Sequence, residues 1–474
     1  MEAIDLRRTS LLWRRLWLRW FAPSVIPEPV RRVLVGIEEA GGEAVVVGGC
    51  VRDLLMGGIP EDWDVATSIA PQRVQEIFPR TVPTGIAHGT VTVLSGDYGV
   101  EVTTYRAEGE YTDRRRPDWV AFSKDLKEDL ARRDFTFNAM ALTRTGLLMD
   151  PFGGLEDLAR RRIVTVGRAR DRFGEDALRM VRAVRFAAQL DVDLDPEIVD
   201  ACSEMSQFLD AVSRERIRLE LDRILMSSNA ARGMELLQST GLLKRFWPEL
   251  AEGVGVEQNK HHAFTVWEHS LVALNAMAQM EGADLALRLA VLLHDVAKPH
   301  TLEIDEDDNR HFHNHQVVGA AMARRLLRRL RYDKRTIERV THLIRHHMDL
   351  HHYPQMKDSA IRRLINRVGL ENIGDLVKVR IADRAGSGTK EKPLSKGTMH
   401  LLNRIDRVLQ EDAAFGLKDL AVDGTDVMRV AGLSSGPAVG RILETLLDEV
   451  LEDPSLNQRP ILERRIEELA REET

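Results

Sequence analysis

The chain changes character once, near residue 150, and that change limits its fold more than any other feature. Before it the pattern alternates between short strands and short helices. Ala44-Val45-Val46-Val47 reads as a buried strand, followed by Gly48-Gly49 and a helix over Val51–Met56. Thr90–Leu94 and Val100–Tyr105 read as later strands. Asp150-Pro151-Phe152-Gly153-Gly154 then forms a turn, and beyond about Leu155 the pattern is helical. This predicts an α+β chain: a small mixed α/β head followed by all-helical parts. The expected divisions are an N-terminal extension (1–26), the head (27–150), a helical neck (151–250), a helical metal-binding domain (251–390) and a helical tail (391–474). At roughly 100–200 residues per domain, the 474 residues fit three or four domains.

Composition narrows the class. Hydrophobic residues at 43% and charged residues at 30% suit a water-soluble protein with a real core. The two cysteines, Cys50 and Cys202, offer neither a disulfide framework nor zinc spacing, so a cytoplasmic location is expected. The net charge of −7 does not by itself indicate a nucleic-acid partner. Residues 105–187 are nonetheless locally basic, and a local basic surface suffices to hold a polyanion. The stretch LRRTSLLWRRLWLRWF (6–21) is broken by Arg14, Arg15 and Arg19, so no apolar span of about 20 residues exists there. No membrane association is expected, and nothing in the sequence fixes the oligomeric state.

Three constellations carry chemistry. In the first, Gly48-Gly49 lies where backbone N–H groups can approach a phosphate at the start of a helix. An ordinary strand-to-helix turn looks the same. Arg52 follows on the first helical turn, and Asp62 and Asp64 flank a single residue. On an extended segment, side chains two apart point the same way, about 7 Å apart, close enough to share Mg²⁺. Phosphoryl transfer uses such a pair: one metal activates the attacking hydroxyl and the other steadies the leaving pyrophosphate. A lone Asp-x-Asp is most often a surface turn; the glycine loop and Arg52 upstream change that balance. Glu101, between inward-looking Val100 and Val102, is a candidate third metal-binding carboxylate.

The second constellation is Glu175–Phe186, which reads as one helix with Asp176, Arg179 and Arg182 at three-residue spacing. A salt-bridged surface helix is the commoner meaning of such spacing. In chemical terms, a fixed carboxylate accepts from an exocyclic amine while Arg donates to a ring nitrogen or carbonyl. Cytosine and adenine both carry such an amine. The third constellation is the helix expected over Ala286–Ala297, apolar nearly all round and therefore buried. Burying His294 and Asp295 in it is costly unless they are paired or bind a metal. His269 precedes it, and His313, His315, His342, His346 and His347 crowd the segment that follows.

Taken together, these motifs resemble a known superfamily. Gly48–Leu55 with Asp62–Thr67 resembles motif A of the class II tRNA nucleotidyltransferase and bacterial poly(A) polymerase superfamily. Arg132–Ala141 is similar to its motif B, Asp150–Gly154 to motif C, Glu175–Arg179 to motif D, and 213–225, around Arg214, Arg216 and Glu220, to motif E. The resemblance implies transfer of C and A to the 3′ end of tRNA from CTP and ATP without a nucleic-acid template. It implies Asp62 and Asp64 as catalytic Mg²⁺ ligands, and Gly49, Arg52, Arg133, Asp176, Arg179, Arg182 and Arg185 at the nucleotide. On an ideal helix Arg185 drifts off the 176/179 face. The segment Thr104–Asp129, with Gly109, Glu110 and Arg114–Arg116, matches the family's specificity-switching loop at full length. Ala177 and Gly85–Val91 are more similar to the tRNA enzymes than to poly(A) polymerases. An A-adding enzyme or a poly(A) polymerase remains the alternative. The histidine cluster resembles the HD phosphohydrolase superfamily, which implies His269, His294, Asp295 and Asp383 as core ligands of a divalent transition metal or Mg²⁺, with His315 and His346 as extra ligands. That resemblance implies phosphatase or 2′,3′-cyclic phosphodiesterase chemistry, or alternatively an HD phosphohydrolase with an RNA-binding head.

Overall fold

The computed structural model describes residues 24–86, 89–96, 98–108, 120–259, 263–350, 356–388, 396–410 and 414–472. The Arg/Trp-rich stretch 6–21, the loop residues Gly109, Glu110 and Arg114–Arg116, and Lys390, Lys392 and Pro393 lie outside them. The chain forms two compact units, Met1–Phe246 and Trp247–Thr474.

In the first unit, β1 (Ala44–Val47) is the unbroken apolar run, and all four of its residues are buried. An apolar run of this kind belongs in a sheet covered on both faces. The sheet has seven strands: β1, β2 (Asp64–Thr67), β3 (Thr81–Gly85), β4 (Thr90–Ser95), β5 (Tyr98–Thr104), β8 (Ala141–Leu142) and β9 (Leu148–Met149), in the order β3-β4-β5-β2-β1-β8-β9. A separate ribbon pairs β6 (Arg106–Glu108) with β7 (Val120–Phe122). In the main sheet β2 and β5 run parallel, which sets Asp64 beside Glu101; the other neighbours are antiparallel.

The turn predicted at 150–154 is built for close approach. Asp150 accepts from the backbone N–H of Gly154 at 2.8 Å and of Leu155 at 3.0 Å, which satisfies the opening of the helix Gly154–Ala159. A Cβ on Gly154 would lie 2.2 Å from the Thr136 carbonyl oxygen, so only glycine fits. Helices Ala169–Glu175, Leu178–Leu190, Pro196–Met205, Arg214–Leu225 and Ala230–Ser239 follow. Phe135 and Phe137 from the head meet Phe186 of helix Leu178–Leu190, with ring centroids 5.2–5.7 Å apart. Truncating a buried ring such as Phe137 to Ala costs about 3–5 kcal/mol.

Among its described residues the second unit is helical apart from a small hairpin, Leu302–Ile304 with Arg310–Phe312. Helix Val266–Ala278 starts with a Thr265/Glu268 capping box, and Asp284 and Asp333 cap the helices Leu285–Leu293 and Lys334–His346. Every residue from Ala286 to Leu293 is buried, as its apolar composition requires. The helix ends at Leu293, earlier than expected, so His294 and Asp295 stand in the turn that follows. Val427, Ile442, Leu446, Val450 and Ile466 form a second core near the C-terminus. Among the described residues, no helix is long and apolar enough to cross a membrane.

Candidate functional site

The first site begins where β1 runs out. Gly48 has φ +79°, a left-handed backbone that favours glycine, and a Cβ there would also push against the guanidinium tip of Arg133 at 2.9 Å. From this loop a chain of hydrogen bonds crosses to the helical part of the unit. Arg52 donates to Oδ1 of Asn138 (3.1 Å), Asn138 Nδ2 donates to Oδ1 of Asp134 (3.1 Å), and Arg182 donates to Oδ2 of Asp134 at 2.6 and 2.9 Å. Beyond it Arg185 forms an ion pair, without hydrogen-bond geometry, with buried Glu220 at 2.7 Å and lies over the Phe186 ring at 3.9 Å. Burial opposes ionisation of Asp134, but the Arg182 charge and the hydrogen bonds from Asn138 and Arg182 outweigh it and hold its pKa below the usual carboxylate range. Burial likewise pushes Arg185 down, to about 10.

Asp64 opens β2, half-buried, while Trp63 beside it is buried. Asp62 is exposed and precedes the strand, so the simple two-apart strand geometry expected for the pair does not apply. Glu101 is Asp64's register partner on β5. Burial raises the pKa of Asp64, as do the charges of Glu101 and Asp62, while Arg133 lowers it. A half-buried carboxylate pushed toward its neutral form by two acidic neighbours is one that a divalent cation would relieve. The oxygens of the three carboxylates stand farther apart than those of the histidine cluster described below: among the described residues, ligand trios within 4.8 Å of one another occur only in that cluster.

The expected base reader is divided by a helix break. Helix Ala169–Glu175 ends before Asp176 and the next helix starts at Leu178, so 175–186 is not one helix. Asp176, in extended backbone, accepts from the N–H of Leu178 (3.1 Å) and from Arg216 (2.6 Å). Arg179 pairs with Glu175 at 2.5 Å and donates to the Arg132 carbonyl at 3.3 Å. Asp176 and Arg179 therefore do not hold each other. Each is oriented by a different partner, which leaves both aimed into one space.

That space is a cavity of about 550 Å³. It is lined by Gly48, Gly49, Arg52, Asp64, Arg133, Asp176, Arg179, Arg182 and Arg185, together with Arg132, Asn138, Phe186, Arg216 and Arg223, among others. Eight of its sixteen lining residues are arginines and three are aspartates, so it presents positive charge to a polyanion. Asp62 and Glu101 do not line it. Arg185, expected to drift away, reaches it. Arg132, Asn138, Phe186 and Arg223 were not singled out as site residues by sequence reasoning. Arg216 appeared there only within the stretch similar to motif E.

The second site lies in the other unit. The Nε2 atoms of His269 and His294 approach to 3.0 Å, and those of His315 and His347 to 3.2 Å. His269 Nε2 is 3.3 Å from both Asp295 Oδ2 and Asp383 Oδ1, and His315 Nε2 is 3.3 Å from Asp295 Oδ1. The Nδ1 atoms of His294, His315 and His347 are 2.7–2.8 Å from the carbonyl oxygens of Val291, Phe312 and Ile344. Those contacts fix each ring so that its Nε2 faces inward, which is how metal-binding imidazoles are oriented. All six side chains are buried. Crowded inward nitrogens and two carboxylates make a donor set that suits divalent cations.

One side chain expected in this cluster stands outside it. His346 does not join the cluster; its Nδ1 meets Asp349 at 2.9 Å, and His347 stands beside His294 and Asp295 instead. The helix ends at His346, and His347 begins a 3₁₀ turn that swings its ring inward. Lys298, which sequence reasoning missed, is buried with Nζ 2.7 Å from Asp295 and 2.6 Å from Gln258 Oε1. A lysine three residues after Asp295, within an apolar stretch, was the available signal.

Family models match this organisation: a poly A polymerase head domain over residues 44–164, a probable RNA and SrmB-binding site of polymerase A over 191–253, and an HD domain over 261–392. A CCA-adding enzyme of Limosilactobacillus reuteri is 34% identical over 449 residues, covering 94% of this chain and 97% of the relative. The chain belongs to the CCA-adding enzyme family. Another CCA-adding enzyme, from Limosilactobacillus fermentum, is 35% identical over 91% of this chain and 94% of its own length. The solved CCA-adding enzyme of Bacillus stearothermophilus in complex with CTP superposes with a TM-score of 0.70 at 29% identity, covering 94% of this chain and 99% of that one. The α+β head followed by helical parts is thus the CCA-adding enzyme fold.

Proposed function

We propose that this chain adds the nucleotides of the CCA end to tRNA, using CTP and ATP without a nucleic-acid template. The observation that carries this reading is the arginine-lined cavity in which Asp64 stands at one side and Asp176 and Arg179 at another. In this reading Gly49, Arg52 and Arg133 bear the triphosphate, and Arg182 and Arg185 extend the positive wall. The 3′-hydroxyl oxygen of the RNA attacks the α-phosphorus, the bond to pyrophosphate breaks, and the arginines carry the charge that gathers on the leaving group. Asp176 accepts from the exocyclic amine of C or A. Arg216 and the Leu178 N–H use only part of its four acceptor sites and fix its direction. Asp62, Asp64 and Glu101 would hold Mg²⁺, which when bound supplies Lewis acidity at the attacking and leaving oxygens. The test is to sequence the products of tRNA lacking CCA after CTP alone, ATP alone and both. CC addition from CTP and full CCA from the mixture are expected; failure to incorporate C rejects this reading in favour of an A-adding enzyme.

A second activity is proposed for the buried histidine–aspartate cluster. His269, His294, Asp295, His315, His347 and Asp383 would hold a transition metal or Mg²⁺, which when bound supplies an activated water for phosphate-ester hydrolysis. The supporting observation is the inward convergence of the Nε2 atoms. RNA ending in a 3′-phosphate or 2′,3′-cyclic phosphate is the substrate to assay, and no phosphate release or ring opening under any divalent metal would reject it. The buried, unpaired thiols of Cys50 and Cys202 suit a reducing, cytoplasmic setting.

A further inference from the structure

The segment 315–346 carries nine Lys and Arg against two Asp and Glu, although the whole chain carries seven more acids than bases. It folds as two helices, His315–Arg329 and Lys334–His346. Their apolar sides, including Leu326, Leu327, Ile337 and Val340, are buried. The two acids do little to neutralise the rest. Asp333 caps its own helix through the Thr336 N–H at 3.0 Å, and Glu338 lies 3.7 Å from Lys334. Arg329 and Arg339 are consumed by Glu249, Asp284 and Asp375. Arg325, Arg328, Arg335 and Arg345 are exposed, and among the described residues only Arg325 of these four feels a nearby carboxylate, Glu249, which is already paired with Arg329. Between the helices runs a groove of about 490 Å³ lined by Ala320, Ala321, Arg324, Thr341, His342 and Arg345, with Glu338 as its one acid. Arg324 is steadied there by a 3.1 Å hydrogen bond to Thr341.

We propose that this arginine face of the HD domain is a docking surface for the RNA phosphate backbone, separate from both catalytic sites. The proposal rests on the reading of the chain as a tRNA-end enzyme. The chemistry favours phosphate: eight of the nine cations are arginines, whose planar guanidinium matches phosphate oxygens two at a time. A membrane surface fits less well, because the apolar sides of both helices are largely buried within the protein and Val318 is the one large apolar side chain they leave exposed. Charge contacts of this kind carry no base information, so the face contributes affinity and positioning and leaves base choice to the head.

The test is a four-residue variant, Arg325→Gln, Arg328→Gln, Arg335→Gln and Arg345→Gln, beside a matched set of Arg→Lys changes. Both are compared with wild type for tRNA binding across a salt series and for steady-state nucleotide addition. The glutamine set is expected to weaken tRNA binding about tenfold or more and to flatten the salt slope by about three, since each lost phosphate contact removes roughly 0.7–0.9. KM for tRNA rises while KM for CTP and kcat hold, and the lysine set retains most of the affinity. Unchanged tRNA affinity and salt slope in the glutamine set would overturn the proposal. So would an effect confined to binding of phosphatidylserine-containing vesicles or of an acidic protein. Wild type failing to bind tRNA even at low salt would overturn the tRNA reading itself, a result seen before any variant is compared.

Discussion

The two sites solve opposite electrostatic problems. The cavity in the first unit gathers arginines, and two of its aspartates, Asp134 and Asp176, with Glu175 and Glu220 beside it, are spent on orienting them. It is stable as it stands and is ready for an anion that the protein does not supply. The cluster in the second unit gathers imidazole nitrogens and carboxylate oxygens, buried and turned inward by backbone carbonyls. Four imidazoles this close are hard to accommodate without a cation. The contrast teaches what to look for: a substrate site is recognised by donors held apart by internal ion pairs, and a metal site by acceptors forced together.

The largest effect that can break this contrast is at Asp64. Asp64→Asn should lower nucleotide addition by about three orders of magnitude, several kcal/mol of lost transition-state stabilisation, with KM for tRNA little changed. Steady-state kinetics with CTP checks this, and a loss of less than tenfold would remove Asp64 from the chemistry. Next comes the ligand set of the second site. His347→Ala should weaken metal retention about a hundredfold while His346→Ala leaves it intact, as read by metal analysis of the purified proteins. The reverse ranking would restore the sequence-based assignment. A smaller effect is expected on base choice. Asp176→Ala should cut the preference for CTP over UTP by about ten- to a hundredfold, the value of one or two buried hydrogen bonds, and competition between the two nucleotides measures it. Discrimination unchanged in that variant would move base reading elsewhere.

The smallest effect concerns pH. The folded pKa of Asp134 lies below its unfolded value of about 3.9, so folding favours its ionised form. Its contribution is therefore fully present above pH of about 4 and is lost as pH falls through the lower folded value, where both states are protonated. Urea unfolding between neutral and acid pH should show a shallower acid limb for Asp134→Asn than for wild type. Identical limbs would mean that the Asp134–Arg182 pair contributes little.

Much of this was legible in the sequence because it rests on local pattern. Ala44–Val47 is an apolar run and proved to be a buried strand. Asp150–Gly154 has the residues of a tight turn and became one. What was not legible depends on where a helix stops. Whether His346 or His347 faces inward turns on about 100° of helical phase, and the helix ends between them. Asp176 was taken into a helix because Glu175–Phe186 has good helical periodicity, yet the chain breaks at Asp176 and Ala177 and redirects the carboxylate toward Arg216. Arg216 comes from forty residues away, and a single sequence has no signal for such a pairing. Asp62 was placed on a strand that begins only at Asp64.

The central claim is that one chain carries two chemically independent sites, an anion-binding transferase cavity and a cation-binding histidine cluster. The most direct measurement assays Asp64→Asn and His294→Ala, each checked for wild-type melting, for nucleotide addition to tRNA lacking CCA and for hydrolysis of RNA 2′,3′-cyclic phosphate. The account predicts a crossed result: Asp64→Asn loses addition and keeps hydrolysis, and His294→Ala keeps addition and loses hydrolysis. If His294→Ala abolished addition as well, or Asp64→Asn abolished hydrolysis, the two sites would not be independent and the account would be wrong.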